Sequence, residues 1–282
     1  MAFNYDSLKR ITSDSIVDGN VQNSDIANNA VTTAKIANSA VGSNKLATNA
    51  VNLGTNVVTG TAAVSKGGTG LTSVGSANQV LRSNGSGNVY GDIGLRSIQT
   101  FTGSGTWNRP SGVRYIHIAL VGGGGAGSGH GESGGAGGYA ERILDVTSIS
   151  SSSVSISGES NGTYYSGAGG NGGGSSFGPY LSCGGGYGAN RNNQHSGGLG
   201  GVGSGGTVNI YGGGGGSHHE SIGPGGKSFW GGSTAGGHPQ GGNFAHNHQS
   251  HSAPGSGGRG GYYQGHRGSN GRPGMAVITE YR

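Results

Sequence analysis

The chain of 282 residues has little of what usually builds a core. Leu, Ile, Val and Phe together number 47, about one residue in six, below the level at which a chain ordinarily offsets its ordering entropy by apolar burial. Charge is scarce too: 10% of residues are charged and the formal net charge is +5. The self-repulsion that keeps most weakly hydrophobic chains unfolded is therefore missing. Cys183 is the single cysteine, which excludes an intrachain disulfide framework and a thiolate metal site; a small, partly buried residue is expected there. No apolar stretch is long enough for a bilayer, and Met1–Arg10 lacks the apolar segment of a signal peptide, so synthesis and folding in a cytoplasm are expected. The basic residues Arg142, Arg191, Lys227, Arg259, Arg267 and Arg272 are scattered. They form no run that would track phosphates, and no nucleic-acid partner is expected.

Catalytic signatures are missing as well. Glu132, Asp145, Glu159 and Glu220 stand apart along the sequence, without the paired setting of a glycosidase. There is no GxSxG elbow, no phosphate loop and no zinc-ligand spacing. Gly225-Gly226-Lys227-Ser228 comes nearest to a phosphate loop but lacks the upstream glycine. No enzymatic activity and no cofactor are expected.

Glycine fills the space. It accounts for 69 residues, 54 of them from Gly122 onward. Several runs keep a beat of three: Gly197, Gly200, Gly203 and Gly206; Gly255, Gly258 and Gly261; Gly265, Gly268, Gly271 and Gly274. Gly122, Gly125, Gly131, Gly134 and Gly137 share one register, broken at Ser128. A residue without a side chain at every third position suits a left-handed extended helix of three residues per turn, whose edge can approach another backbone closely. Most of the twelve tyrosines also lie after Gly122, which argues for an ordered backbone array over a linker.

Three regions follow. From Ile11 to Val51 an apolar residue recurs every five positions (Ile11, Ile16, Val21, Ile26, Val31, Ile36, Val41, Leu46, Val51), within a decapeptide pattern A-V-x-x-x-K-I-A-x-x. A period of five fits neither helix nor strand and indicates a solenoid-like or intertwined shaft. One apolar residue in five cannot build a core from one chain, so residues 11–60 imply an oligomer, a homotrimer with these residues on a common axis. Residues 61–105 read as a neck of short strands, with a hinge at Lys66–Gly70 and a tight turn at Asn84-Gly85 between Gln79–Arg82 and Asn88–Tyr90. In residues 106–282 the strand candidates are Val113–Val121, Tyr139–Val146, Ser153–Ser157, Thr207–Tyr211 and Met275–Tyr281, the first pairing with the last.

The segment Lys66-Gly-Gly-Thr-Gly-Leu-Thr-Ser73, followed by Asn78-Gln-Val-Leu81 and Asn84-Gly85, resembles a linker of bacteriophage tail fibre proteins, with the pentad block ending at Val58–Thr61 before it. Phe101-Thr-Gly-Ser-Gly-Thr-Trp107-Asn-Arg-Pro110, leading into a strand and Gly122–Gly125, is similar to the glycine-rich domain that ends many fibres of marine and cyanobacterial phages. The resemblance implies a mainly β or irregular fold. It would be an elongated trimeric fibre with a pentad-repeat shaft, a short β neck and a tip of strands plus packed polyglycine-II helices. It also implies a virion protein that docks through residues 1–10 to a tail or baseplate adaptor, with a host surface polysaccharide or outer-membrane protein as partner at the tip.

Candidate receptor-binding residues are those that interrupt the glycine runs. They are Tyr187, Asn190, Arg191, His195, His218, His219, Phe229, Trp230, Phe244, His246, His248, Tyr262, Tyr263 and Arg267. Tyr, Trp, Asn and Arg give large contact area with little rotamer entropy lost, and aromatic faces beside amides suit sugar rings. The same aromatics could instead seal the ends of glycine rods. His246-Asn247-His248 projects two imidazoles to one side of an extended chain; three chains would then offer six nitrogens to a metal. A polar loop is the preferred expectation, so no metal is assigned. The alternatives in other classes are a purely structural fibre segment capped by another adhesin, and a surface- or ice-binding protein with flat glycine faces.

Overall fold

The computed structural model describes residues 19, 21–41, 45, 68–71, 74–77, 79–164, 167–190, 196–217, 223–233, 252–261 and 266–282. The chain divides into two compact units, Met1–Val74 and Gly75–Arg282.

In the first unit the decapeptide of the sequence is a decapeptide of the backbone. Short 3-10 turns at Asn23–Asp25 and Thr33–Lys35 follow extended Gln22 and Thr32. Their hydrogen bonds repeat ten residues apart: the Asp25 N–H donates to the Gln22 carbonyl and the Lys35 N–H to that of Thr32, both at 2.9 Å. A second turn closes from Ala30 N–H to Ala27 carbonyl (2.9 Å) and again from Ala40 to Ala37 (3.0 Å), with Asn29 and Ser39 both at positive φ (67° and 68°). No residue from 21 to 41 is buried. Val21, Ile26, Val31, Ile36 and Val41 are each 43–53% exposed, so these turns are held by local hydrogen bonds without a core.

The second unit opens with a hairpin, β1 (Val80–Ser83) against β2 (Asn88–Gly91). Asn84 closes it: its side-chain Oδ1 accepts from the N–H groups of Ser86 (3.0 Å) and Gly87 (2.9 Å), while Gly85 takes the positive φ of +90° that the turn needs. Then come β3 (Leu95–Phe101), β4 (Gly105–Asn108), β5 (Tyr115–Val121), β6 (Tyr139–Asp145), β7 (Ser151–Ser155) and β8 (Ser175–Phe177). The last four are β9 (Leu181–Cys183), β10 (Gly203–Ser204), β11 (Val208–Ile210) and β12 (Met275–Tyr281). They form two five-stranded sheets, ordered β10-β9-β8-β7-β4 and β11-β6-β5-β12-β3, antiparallel throughout. The fold is thus mainly β with almost no helix.

Alternation along β5, β7 and β12 puts one side of each strand in the core. Ile116, Ile118, Leu120, Ala276 and Ile278 from one sheet meet Trp107, Val154, Phe177, Leu181 and Cys183 from the other. As the sequence implies, the first long strand of this region pairs with the last, Met275 opposite Val121 through Tyr281 opposite Tyr115. The stretch assigned to the neck supplies β3, which pairs along the other edge of β12. Three short strands, β8, β9 and β10, have no sequence signal, because two or three residues are too few to show a period.

Between strands the chain makes excursions into a second layer of ten extended glycine-rich segments. Residues 122–128 and 132–138 link β5 to β6; 157–163 and 167–174 link β7 to β8; 184–190 and 196–202 link β9 to β10. Residues 212–217, 223–227, 255–261 and 267–274 lie between β11 and β12. Their backbone hydrogen bonds run with a period of three. Gly122, Gly125 and Ser128 donate to the carbonyls of Gly138, Gly135 and Glu132; Gly123 and Ala126 donate to Gly173 and Gly170; Gly124 and Gly127 donate to Arg272 and Ser269, all at 2.8–3.0 Å. The carbonyls of the same segment receive N–H groups from Gly186, Ala189, Gly258, Gly261 and Thr163. Residues 122–128 are therefore ringed by six others. Residues 132–138 donate in the same manner, to Gly216 and Gly213, to Gly258 and Gly255, and to Tyr187 and Gly184. All of these partners belong to the same chain. The glycine register from Gly122 to Gly137 is no continuous rod, however; it reverses at Ser128–Glu132, where the Ser128 hydroxyl donates to the Glu132 carboxyl and accepts the His130 N–H at 3.2 Å.

Candidate functional site

The hydrogen-bond registers fix which ends of the ten segments lie together. Segments 122–128, 157–163, 184–190, 212–217 and 255–261 run away from the sheets, and their partners run back. Ser128 and Glu132, Thr163 and Gly167, Asn190 and Ser196, Ser217 and Gly223, and Gly261 and His266 therefore flank five reversals at one end of the bundle. Asn190 and Ser196 form a bridge, the N–H of Asn190 donating to the Ser196 carbonyl at 3.3 Å. Polar groups seal this end from within. Ser128, Glu132 and Ser133 are fully buried; the Ser133 hydroxyl donates to the Gly223 carbonyl (2.5 Å) and accepts from the Gly260 N–H (2.9 Å). Arg259, in segment 255–261, has its guanidinium pKa lowered from the ordinary arginine value by burial.

Of the sequence candidates, Tyr187 and Asn190 are brought together. They line a groove of about 490 Å³ over segments 167–174, 184–190 and 196–202, near the end of the reversals. Asn171, Gly197 and Leu199 complete its walls. The Asn171 side-chain Oδ1 accepts the Gly188 N–H at 2.8 Å, which fixes the amide. Tyr187 and Leu199 are exposed by 57% and 72%, and the N–H of Tyr187 donates to the Leu199 carbonyl at 2.9 Å. Asn171 and Leu199 were not among the sequence candidates. Asn171 interrupts the run from Gly169 to Gly174 in the same way as the chosen residues, and that signal could have found it.

Phe229 and Trp230 lie elsewhere, at the sheet end of the bundle. Phe229 stacks on Tyr139 with ring centroids 3.7 Å apart and planes at 15°, and Trp230 meets the same ring edge-on at 5.9 Å. Trp230, with Met275 and Val277, packs against Ala119, Val121 and Tyr139 of the sheet β11-β6-β5-β12-β3, while Phe229 keeps about half of its surface exposed. Tyr139 donates its hydroxyl to Glu141 at 2.6 Å, and burial first, then this carboxylate, raises its pKa well above the usual tyrosine value. Glu141 also faces His117, 3.3 Å away. Arg267 is a third place: its Nε donates to the Gly162 carbonyl at 2.9 Å and its guanidinium stands 5.8 Å from the Tyr164 ring, tying two segments together. Arg191, His195, His218, His219, Phe244, His246, His248, Tyr262 and Tyr263 lie outside the described residues. Among the described residues no three of His, Cys, Asp and Glu are grouped to hold a metal ion.

A second groove, of about 650 Å³, lies at the opposite end of β5 and is lined by Arg82, Arg109 and Arg114 with Ser83 and Asn84; Arg109 Nη1 donates to the Thr147 carbonyl at 2.9 Å. Cys183 is buried, its thiol donating to the Leu120 carbonyl at 3.2 Å, and burial pushes its pKa up to about 12. Glu280 was also missed by sequence reasoning. It is fully buried, with its Oε1 accepting from Trp107 Nε1 and Gln99 Nε2, both at 2.7 Å, and its Oε2 from the Ser97 hydroxyl. This carboxyl links the two sheets and has no open face for a substrate. Compared with known proteins, the chain matches no family model and no curated protein.

Proposed function

We propose that the chain is a homotrimeric bacteriophage tail-fibre protein of the virion whose glycine-rich tip binds the host cell surface. The observation that carries this reading is the gathering of five reversals at one end of a rigid bundle. The flanks of residues 191–195, 218–222 and 262–265, which hold Arg191, His195, His218, His219, Tyr262 and Tyr263, all meet there. A backbone array that holds loops at one end is a scaffold for recognition. Donation in three directions with a period of three is what a helix of three residues per turn produces, and we read the ten segments as polyglycine-II helices. In this reading residues 1–10 dock to a tail or baseplate adaptor, residues 11–60 form the shaft, residues 61–105 form the neck, and three tips bind with avidity. The half-exposed Val21, Ile26, Val31, Ile36 and Val41 then bury against their counterparts on two further chains.

Two measurements test it. Light scattering of the full-length protein gives three times the chain mass, and Ile26→Asp combined with Ile36→Asp reduces it to one. Added in excess, the full-length protein blocks adsorption of the phage that carries it. Failure to compete favours the second reading, a structural fibre segment capped by another adhesin. That reading draws support from Phe229, Trp230 and Arg267, three candidates whose side chains make contacts within the chain.

A further inference from the structure

We infer that the groove between Tyr187, Asn171 and Leu199 is a binding site for an uncharged saccharide; the inference rests on the host-binding reading and names the class of ligand for one surface of the tip. The groove combines three features. Its volume, about 490 Å³, lies in the range of small-ligand sites, roughly 300–1,000 Å³. It carries an exposed aromatic ring, Tyr187, beside an exposed aliphatic side chain, Leu199, the kind of surface on which the C–H face of a pyranose packs. It also offers hydrogen-bonding groups fixed in place. The Asn171 amide is held through its Oδ1, which leaves the Nδ2 donor. The backbone N–H groups of Gly197 and Leu199 have no protein partner among the described residues.

The unused donors have a structural cause. Segment 196–202 lies at the edge of the described bundle: Gly198 and Gly201 donate inward to Ser133 and Ala136, but among the described residues no further segment accepts from Gly197 or Leu199. Edge backbone groups held rigid in this way recognise hydroxyl oxygens without paying ordering entropy on binding. Among the described residues the lining holds no Lys, Arg, His, Asp or Glu. Among these lining residues a sialylated, sulfated or phosphorylated ligand would find no counter-charge, and a neutral one loses nothing by that lack.

The test applies full-length protein to a glycan array carrying neutral oligosaccharides of glucose, galactose, mannose, rhamnose and N-acetylglucosamine beside sialylated and sulfated ones. Retention on at least one neutral glycan is expected. Tyr187→Ala should weaken it at least about tenfold, the loss that about 1.4 kcal/mol produces, and Tyr187→Phe should keep it. The Tyr187 ring is exposed and its backbone carbonyl still accepts the Gly135 N–H at 2.9 Å, so the variants fold; unchanged thermal melting checks this. Asn171→Asp should weaken binding as well, by replacing the Nδ2 donor with an acceptor. An array without neutral binders, retention confined to acidic glycans, or parent-like binding by Tyr187→Ala overturns the inference, as does capture of a host outer-membrane protein with the array blank. Adsorption competition separates the two levels. Competition with a blank array removes the saccharide site and leaves the host-binding reading, whereas array binding without competition does the reverse.

Discussion

In the sandwich, space is filled by side chains. Trp107 and Phe177, with ring centroids 5.8 Å apart, sit among Ile116, Ile118, Leu120 and Ile278. In the bundle beside it, space is filled by backbone, and neighbouring segments are joined by N–H···O bonds of 2.7–3.3 Å in three directions. Residues 21–41 use neither device and bury nothing within one chain. The two halves of the second unit therefore differ in what a mutation can do. A side-chain core loses stability when atoms are removed and relaxes partly around the gap. A backbone array has nothing to remove and no rotamer to turn aside, so it loses stability when one methyl group is added.

The largest effect should accordingly come from the smallest insertion. A Cβ on Gly134 would stand 2.1 Å from the Gly125 carbonyl oxygen, a position no side-chain motion can relieve. Gly134→Ala should lower unfolding stability by more than about 4 kcal/mol, at the extreme of single substitutions, or prevent folding. Urea titration of the purified variant measures it. A loss under about 1 kcal/mol would mean the segments slide past each other, and the contrast between the two halves would fail.

Next in size is the link between the sheets. Trp107→Phe keeps most of the ring volume in the core and removes the Nε1 donor that Glu280 accepts from at 2.7 Å. A cost of about 1–3 kcal/mol is expected from a buried acceptor left short of a donor. Adding Glu280→Gln should return part of that loss, because the amide supplies a donor of its own to the Ser97 hydroxyl. Failure of the pair to couple in a double-mutant cycle would show that this carboxyl contributes little to holding the sandwich.

A pH effect separates the halves further. The folded pKa of Cys183, about 12, stands above its ordinary 9.0 because burial disfavours the thiolate. Between those values the unfolded chain has lost the thiol proton and the folded chain keeps it. The stabilisation is therefore complete below about pH 9 and falls as pH rises toward 12, on the order of 1.4 kcal/mol per unit. Tyr139 shifts in the same direction and adds to the alkaline decline. Cys183→Ala should flatten the slope measured by denaturant titration above pH 9, and an unchanged slope would assign the whole decline to other groups.

How far the sequence disclosed this arrangement follows the same division. The alternation in Tyr115–Val121 and Met275–Tyr281 made those strands and their pairing legible, since side-chain pattern is what a sandwich responds to. The three-residue glycine beat pointed to close-packed backbone but could not say where a segment turns. Gly131 continues the register of Gly125 across a full reversal, because the turn combines the Ser128–Glu132 side-chain contact with Gly131 at a φ of +106°. The candidate site was half visible. Tyr187 and Asn190 stood out as interruptions of glycine, while the donors of Gly197 and Leu199 belong to an edge that only the packed array creates. Phe229 and Trp230 looked the same as Tyr187 in sequence, and what distinguishes them is Tyr139 beneath their rings.

The smallest expected effect is the sharpest control on the comparison. Gly158 lies near the start of segment 157–163 as Gly134 does in 132–138, but an added Cβ there meets nothing within 4 Å, and its φ is not in the left-handed region. If the cost of a methyl group in the bundle comes from the approach of another backbone, Gly158→Ala should change stability by no more than about 0.5 kcal/mol. It could even raise stability, because alanine restricts the unfolded chain more than glycine does. If instead glycine is needed along these segments for its conformational freedom, the two substitutions should cost alike. The difference between Gly134→Ala and Gly158→Ala, measured by the same titration, thus isolates packing from backbone preference. A near-zero difference would remove close packing as the reason the chain carries so much glycine.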